Sequence, residues 1–323
     1  MSGVVIVILV MCLAGRLLKD KEKQSINVEE QIVRPLEKYM IKNLAARDYD
    51  SKLEWDEVTA TTTFFRVQKF HFASDGKLVS GLAHIPNKCD VQQKCPIILQ
   101  LRGYAERDKY VPGYGTWRSA EEYAKAGMIS LAPDFLGYGQ SASPSADVFE
   151  ARFETYTTVL NLLGGVNKWE YNNGNVGLWG HSNGGHIALV ILEITGKNLP
   201  TVLWAPVSAG FPYSILFYMN ENEPGDKLLR RKLAEFEEKY ESTEFNLLNF
   251  LERINARVQL HQGKKDLSVP AEWNRDLVSK MKELKKDIVY FEYSEADHNL
   301  IPDWETVVNR DISFFKENLK LTE

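Results

Sequence analysis

The sequence predicts an α/β protein with a mainly parallel central sheet, helices on both faces and an antiparallel hairpin at its N-terminal edge. Short apolar runs typical of buried strands alternate along the chain with stretches typical of amphipathic helices. Strands and helices that alternate form βαβ units, which place a parallel sheet between two helical layers. The 323 residues, 44% hydrophobic and 26% charged, are enough for one large domain of this kind or for two small ones.

The edge hairpin is predicted from two β-branched and aromatic stretches, residues 61–74 and 77–86. Asp75-Gly76 between them is a strong signal for a two-residue turn. The mixed and charged residues before the hairpin, about 20–60, predict a helical lead-in.

Strands and helices then alternate. The predicted strands are 96–103, 128–134, 175–180, 201–206, 256–263 and 287–293, and the predicted helices are 119–127, 147–167, 183–196, 226–241, 272–285 and 304–318. The segment from about 208 to 254 interrupts the alternation, because it is aromatic at first and then strongly charged. We expect it to form a small helical cap inserted in a domain that spans residues 21–323.

The N-terminus departs from this pattern, since residues 4–15 are unbroken apolar sequence followed by basic residues. A stretch of about twelve residues is too short to span a bilayer, which needs about 20, but it suits the core of an export signal. We therefore expect segment 1–20 to be a signal or anchor and the protein to be exported or held at a membrane through residues 4–15. A buried helix of a cytoplasmic protein is the alternative.

The net charge and the cysteine content indicate which partners and which kinds of site the protein is expected to have. The net charge of −5 gives no basic surface for nucleic acid, and the absence of CxxC and HExxH pairs argues against a metal site. Cys89 and Cys95 bracket a short loop, either as a disulfide or as two free thiols. No cofactor is predicted, the expected partner is a small ester or short peptide substrate, and the sequence does not indicate an oligomeric state.

One stretch carries a chemical signal. Residues 175–195 place Gly-His-Ser-Asn-Gly-Gly between a buried strand and a helix, so Ser182 falls on a sharp strand-to-helix turn. Gly180 and Gly184 leave room where strand and helix cross, and the strained turn raises the serine Oγ above the sheet. This pattern predicts a nucleophile elbow; the alternative is a structural serine in a glycine turn.

A nucleophilic serine needs a base and an acid that orients the base, which follow it here in the order acid, then histidine. His298 is the remaining candidate for the base. The other histidines lie before the turn (His71 and His84), beside it (His181), in the next helix (His186) or within a strand (His261). The acid is predicted to be Asp266, in the loop after strand 256–263. Asp297 is the competitor, but a direct neighbour cannot easily reach the imidazole and is better suited to bracing the loop.

The negative charge of a tetrahedral intermediate needs two N–H donors. We expect them to be the backbone amides of Asn183 and Tyr104, with Ala105 as the alternative to Tyr104. Tyr104, Trp204, Phe211 and Tyr213 are the candidates for substrate binding, and Tyr110, Tyr114 and Phe217 are further aromatic side chains near the site. The alternative for Trp204 and Phe217 is that they pack only against sheet and cap.

Five motifs in this order resemble the α/β-hydrolase fold, and within it the prolyl oligopeptidase-like (dipeptidyl aminopeptidase and acylaminoacyl peptidase) branch. They are LQLRGYAE (99–106), APDFLGYGQSASP (132–144), GLWGHSNGGHIAL (177–189), LHQGKKDLSVP (260–270) and YSEADHNL (293–300). The resemblance covers roughly residues 64–318. It implies an oxyanion loop, a nucleophile, an acid and a base at the positions given above.

The sequence departs from this branch at two points. Arg102-Gly103 stands where the family usually has His-Gly, which keeps the backbone donor but changes the local charge. About 60 residues precede the first hydrolase strand, too few for the β-propeller of the larger peptidases, which favours an esterase. The leading hypothesis is a serine hydrolase of carboxylic esters. The runner-up is an aminopeptidase, with Glu106 or Glu221 as the anchor of a free amino group, and the rival is a catalytically silent binding protein.

Overall fold

A nine-stranded mixed sheet forms the centre of the domain in the computed structural model, which describes residues 33–219 and 223–320. The strands are β1 (Glu54–Thr61), β2 (Phe65–Ser74), β3 (Lys77–Pro86), β4 (Cys95–Leu101), β5 (Ile129–Pro133), β6 (Asn172–His181), β7 (Thr201–Trp204), β8 (Val258–Gly263) and β9 (Ile288–Tyr293). Their order across the sheet is β1-β2-β3-β5-β4-β6-β7-β8-β9. The first three pairings along this order are antiparallel and the other five are parallel.

Eight α-helices lie within the described residues. They are α1 (Ile41–Ala45), α2 (Trp117–Lys125), α3 (Val148–Lys168), α4 (Asn183–Thr195), α5 (Tyr213–Leu216), α6 (Pro224–Glu237), α7 (Ala271–Glu283) and α8 (Trp304–Asn318). The long helices agree with the sequence prediction to within a few residues. None of the helices in the described part of the chain is long and apolar enough to cross a membrane.

The sheet buries a different hydrophobic core on each face. Alternate side chains of a strand point to opposite faces, so Leu178 belongs to the core under α3 and α4, whereas Trp179 belongs to the core under α2 and α8. Ile97 and Ile98 divide in the same way. This arrangement confirms the predicted mainly parallel sheet with helices on both faces.

The predicted hairpin is confirmed, with one strand more than expected at the edge. β2 and β3 pair with Ser74 opposite Lys77, and Asp75 and Gly76 both take the positive φ that such a turn requires. The prediction of a helical lead-in over residues 20–60 is wrong for its last part, because Glu54–Thr61 pairs with β2 as β1. Only short helical turns, Glu37–Tyr39 and α1, precede it in the described residues.

Between β7 and β8 the chain is helical, as predicted for a small cap. It contains α5, α6 and the short 3-10 helices Ser242–Phe245, Leu247–Asn249 and Leu251–Arg253. Cys89 and Cys95 form a disulfide between β3 and β4, which is the first of the two alternatives left by the sequence. The apolar stretch 4–15 and the boundary predicted at residue 20 lie outside the described residues.

Candidate active site

Ser182 occupies a strained turn between the end of β6 and the start of α4. Its backbone has φ +56° and ψ −121°, a conformation that residues with a side chain rarely adopt. Such strain persists only where the surroundings impose it, and it is typical of functional sites. The expected strand-to-helix turn at Ser182 is therefore present.

Three glycines allow α4 to approach the sheet closely at this turn. A Cβ on Gly180 would lie 2.6 Å from the carbonyl oxygen of Gly184, and a Cβ on Gly184 would overlap the carbonyl oxygen of Leu101. A Cβ on Gly185 would lie 2.5 Å from the Cβ of Pro206. Any side chain at these positions would move the helix away from the sheet and displace Ser182.

The loop after β4 lies directly beside Ser182. A Cβ on Gly103 would be 2.9 Å from the Cβ of Ser182 and 3.5 Å from its Oγ. Within the described residues, no hydrogen bond takes up the backbone N–H of Tyr104 or that of Asn183. Two free N–H groups next to a serine Oγ are suited to a developing oxyanion.

Arg102 holds this loop in place. Its Nη1 donates a hydrogen bond to the carbonyl oxygen of Gly103 at 2.9 Å, and its Nη2 donates to the carbonyl oxygen of Asp134 at 2.9 Å. The guanidinium also lies 4.0 Å from the centre of the Tyr138 ring. Arg102, which stands where the family usually has histidine, is thus a buried arginine whose hydrogen bonds connect the loop to the end of β5.

His298 is hydrogen-bonded to Asp266, with 2.8 Å between its Nδ1 and the carboxylate Oδ2. Oδ1 of Asp266 accepts the backbone N–H groups of Ser268 and Val269 at 2.8 and 2.9 Å, and Gln262 Nε2 donates to Oδ2 at 3.1 Å. Burial acts to raise the pKa of Asp266, but the hydrogen bonds from His298 and the backbone outweigh it and lower that pKa. The carboxylate is therefore ionised at neutral pH and fixes the imidazole tautomer with its proton on Nδ1.

His181 supports the same histidine from the other side, a role that was not predicted from the sequence. Its Nε2–H donates to the carbonyl oxygen of His298 at 2.9 Å, and the centres of the two rings are 4.7 Å apart. Burial, followed by the charge of His298, lowers the pKa of His181 to about 4. A neutral His181 can keep this hydrogen bond across the neutral pH range.

Asp297 braces the loop that carries His298. Its Oδ1 accepts the backbone N–H groups of Asn299 at 2.8 Å and Ile301 at 3.0 Å. The carboxylate hydrogen-bonded to the imidazole is that of Asp266, and Asp297 has the bracing contacts expected for it.

Ser182 and His298 line one open cavity of about 1120 Å³. In the described part of the chain, no hydrogen bond joins the Ser182 Oγ to an imidazole. Histidine and serine often close to hydrogen-bond distance only when substrate binds. Arg152, Tyr156 and Tyr218 also line the cavity and were not predicted, because α3 and the cap reach it from distant parts of the sequence.

The predicted substrate-binding aromatics divide between cavity and core. Tyr104 lines the cavity, as do Tyr114 and Tyr138. The prediction for Trp204 needs correction, because its side chain belongs to the buried core under α2 and α8 and its Nε1–H donates to Asp311 at 2.8 Å. Trp204 ends a strand, so its direction is set by the alternation along β7.

Phe211 and Tyr213, which were also predicted to bind substrate, do not line the cavity. Phe211 is buried against Phe149, Phe153 and Phe236, with ring centres 5.3 to 6.0 Å apart, so the cap packs through it onto α3. Tyr213 is 54% exposed and packs on Trp273, outside the cavity lining. Both predictions rested on proximity in sequence, which does not fix the direction of a side chain in a loop.

Glu106, one of the two anchors considered for an aminopeptidase, does not line the cavity. Glu106 is exposed and forms an ion pair with Lys109 at 2.5 Å. Glu221 lies outside the described residues. Among the described residues, the carboxylate that lines the cavity is that of Asp226, on the first turn of α6.

Solved structures with the α/β-hydrolase fold are similar to this chain. Acetyl xylan esterase 1 from Thermoanaerobacterium sp. has a TM-score of 0.65 at 15% identity, over 87% of this chain and 93% of that one. Est1E from Butyrivibrio proteoclasticus, solved with ferulic acid, has a TM-score of 0.59 at 16% identity, over 77% and 98%. Acylaminoacyl peptidase from Pyrococcus horikoshii has a TM-score of 0.60 at 15% identity, over 81% and 43%.

No family model matches the sequence, and the comparison with curated proteins found no match. The structural similarity at these identities shows the fold, which is the α/β-hydrolase fold predicted from the motifs.

Proposed function

We propose that the chain is a serine hydrolase that cleaves carboxylic esters through an acyl-enzyme intermediate. The observation that carries the proposal is the strained Ser182, set beside two free backbone N–H groups in the cavity that also contains His298. The hydrogen bond from His298 Nδ1 to Asp266 supports it, because it leaves Nε2 as the proton acceptor.

In the proposed reaction, Ser182 Oγ attacks the ester carbonyl while His298 Nε2 takes its proton. The N–H groups of Asn183 and Tyr104 stabilise the oxyanion, and Asp266 stabilises the imidazolium. His298 then donates the proton to the leaving alcohol. Water, activated by the same histidine, releases the acid and restores Ser182.

Ester hydrolysis is proposed ahead of peptide hydrolysis because several of the similar structures are esterases, including the acetyl xylan esterase at a TM-score of 0.65. Peptidase activity remains the runner-up in the same enzyme class, since an acyl-enzyme can form from either substrate.

Export or membrane attachment through the N-terminal segment belongs to the same proposal. The Cys89–Cys95 disulfide supports it, because disulfides persist mainly in oxidising compartments.

The test is labelling with a fluorophosphonate probe, which reacts with activated serines. We expect the wild type to be labelled, Ser182→Ala to be unlabelled, and the surface control Ser313→Ala to be labelled like the wild type. Rates on p-nitrophenyl butyrate and on aminoacyl p-nitroanilides then separate esterase from peptidase. A folded wild type that takes no label would overturn the proposal and favour a binding protein.

A further inference from the structure

The candidate active-site cavity is rich in arginine although the protein as a whole is acidic. Arg102, Arg107 and Arg152 line it, and Asp226 is the carboxylate among the described lining residues. The chain as a whole has a net charge of −5. A concave surface with excess positive charge on an acidic molecule concentrates anions, because its walls of low dielectric constant focus the field.

Two of these arginines are explained by the fold. Arg102 donates from both terminal nitrogens to the carbonyl oxygens of Gly103 and Asp134, so that only its Nε is buried without a partner. Arg107 is exposed at the rim, where its guanidinium lies 5.8 Å from the centre of the Tyr138 ring. Neither needs a ligand to account for its position.

Arg152, on α3, is different. Its Nε and Nη2 are buried and have no hydrogen-bond partner, and no carboxylate among the described residues lies within 4.0 Å of its guanidinium. Buried guanidinium N–H groups without an acceptor are costly, so they are typical of a site that a ligand completes. Arg152 therefore offers two free donors and an unbalanced charge to whatever enters the cavity.

The groups around Arg152 do not neutralise it. Tyr156, one turn further along α3, donates its hydroxyl hydrogen to His186 Nε2 at 3.0 Å, and His186 Nδ1–H donates to the carbonyl oxygen of Val207 at 3.0 Å. Burial, followed by the charge of Arg152, lowers the pKa of His186 to about 3, so this imidazole is neutral. Burial raises the pKa of Tyr156, although the charge of Arg152 and a hydrogen bond between the two side chains act to lower it. The neighbours are thus uncharged, and Arg152 Nε and Nη2 keep no acceptor.

This cluster is connected to the candidate nucleophile. His186 lies one helical turn after Ser182 on α4, about 6 Å along the helix. Arg152, Tyr156, His186 and Ser182 all line the same cavity. A ligand that reaches Arg152 can therefore extend to Ser182.

We propose that the substrates of this site are esters that carry a carboxylate, which Arg152 binds through its two free N–H groups. This inference rests on the proposed ester hydrolysis and names its substrate class. A planar guanidinium binds a carboxylate through paired hydrogen bonds, and such charge-assisted bonds discriminate strongly against a neutral group of the same size.

The test compares matched pairs of esters on the wild type, corrected for uncatalysed hydrolysis. One pair places the charge on the acyl side (p-nitrophenyl hydrogen glutarate against p-nitrophenyl pentanoate). The other places it on the alcohol side (4-acetoxybenzoate against 4-methylphenyl acetate). We expect kcat/KM for the anionic ester of at least one pair to exceed that of its neutral partner by about tenfold or more.

Variants then assign the preference to Arg152. Arg152→Gln should reduce the ratio of anionic to neutral kcat/KM by about 10- to 100-fold, and Arg152→Lys should retain part of it. Arg231→Gln, which removes an exposed charge on α6, should leave the ratio unchanged. Thermal unfolding checks that each variant folds.

The outcomes are distinct. Equal kcat/KM within both pairs would overturn the inference while leaving ester hydrolysis standing, and this comparison does not depend on any variant. A preference that survives in Arg152→Gln would also overturn it. Hydrolysis of none of the four esters, together with absent fluorophosphonate labelling, would overturn the proposed function and this inference with it.

Discussion

At the scale of single residues, the imidazole of His298 is fixed by groups on both sides of its loop. Asp266 accepts the hydrogen on Nδ1, and His181 binds the backbone carbonyl of the same residue. Asp266 is itself held by backbone and side-chain donors, including Gln262, whose Oε1 accepts a hydrogen bond from Asn274 at 2.6 Å. The tautomer and the direction of the imidazole are thus set by the protein itself.

This arrangement predicts different effects for two neighbouring carboxylates. Asp266→Asn should lower kcat by about 10³- to 10⁴-fold, because an amide N–H facing Nδ1 favours the wrong imidazole tautomer. Asp297→Asn is the matched control, since its Oδ1 can still accept the backbone N–H groups of Asn299 and Ile301, and its kcat should fall by less than about tenfold. Steady-state kinetics on p-nitrophenyl butyrate measure both. Equal losses in the two variants would contradict the assignment of Asp266.

At the scale of elements, the close approach of α4 to the sheet depends on the absence of side chains at the points of contact. Gly184→Ala should destabilise the protein by about 3 kcal/mol, because the new Cβ overlaps the backbone of β4 and cannot be accommodated by a rotamer change. Gly225→Ala is the control, since a Cβ there has no atom within 4 Å and reduces the freedom of the unfolded chain. Denaturant unfolding should show a loss for the first and no loss for the second. A Gly184→Ala variant as stable as the wild type would disprove the overlap.

The same elements show what the sequence could predict. The turn at Ser182 was predictable because glycine spacing and apolar runs are local signals, and the hairpin at Asp75-Gly76 was predictable for the same reason. β1 was missed because most of Glu54–Thr61 is exposed and three of its eight residues are acidic, and it becomes a strand only by pairing with β2. Phe211 was wrongly predicted to bind substrate, and Arg152 was not predicted to line the cavity, because the surroundings of both come from distant segments. Turns and strands with local sequence signals could be predicted, whereas the direction of a side chain and the residues that line the cavity depend on the tertiary fold.

At the scale of the whole molecule, buried histidines make the stability of the domain depend on pH. Burial lowers the pKa of His84, on β3, to about 4, and the pKa of His186 is lowered to about 3. In the unfolded chain both have a pKa of about 6.5, so below that pH the unfolded state binds protons that the folded state does not. Stability is therefore lost progressively as the pH falls from about 6.5 toward the folded-state pKa. Between pH 7 and pH 5 this amounts to about 2 kcal/mol for each histidine.

His84→Leu tests this contribution, since it removes the titrating group and its unpaired Nε2 while keeping the site apolar. The loss of unfolding free energy between pH 7 and pH 5, measured by denaturant titration at each pH, should be about 2 kcal/mol smaller than in the wild type. His71→Gln is the control of opposite sign. Hydrogen bonding to Asp56 raises the pKa of His71, so its stabilisation is present below its unfolded pKa and is lost as the pH rises through its folded pKa. Removing His71 should therefore not reduce the loss of unfolding free energy between pH 7 and pH 5. If His84→Leu loses as much unfolding free energy over this range as the wild type, protonation of His84 does not limit stability at low pH.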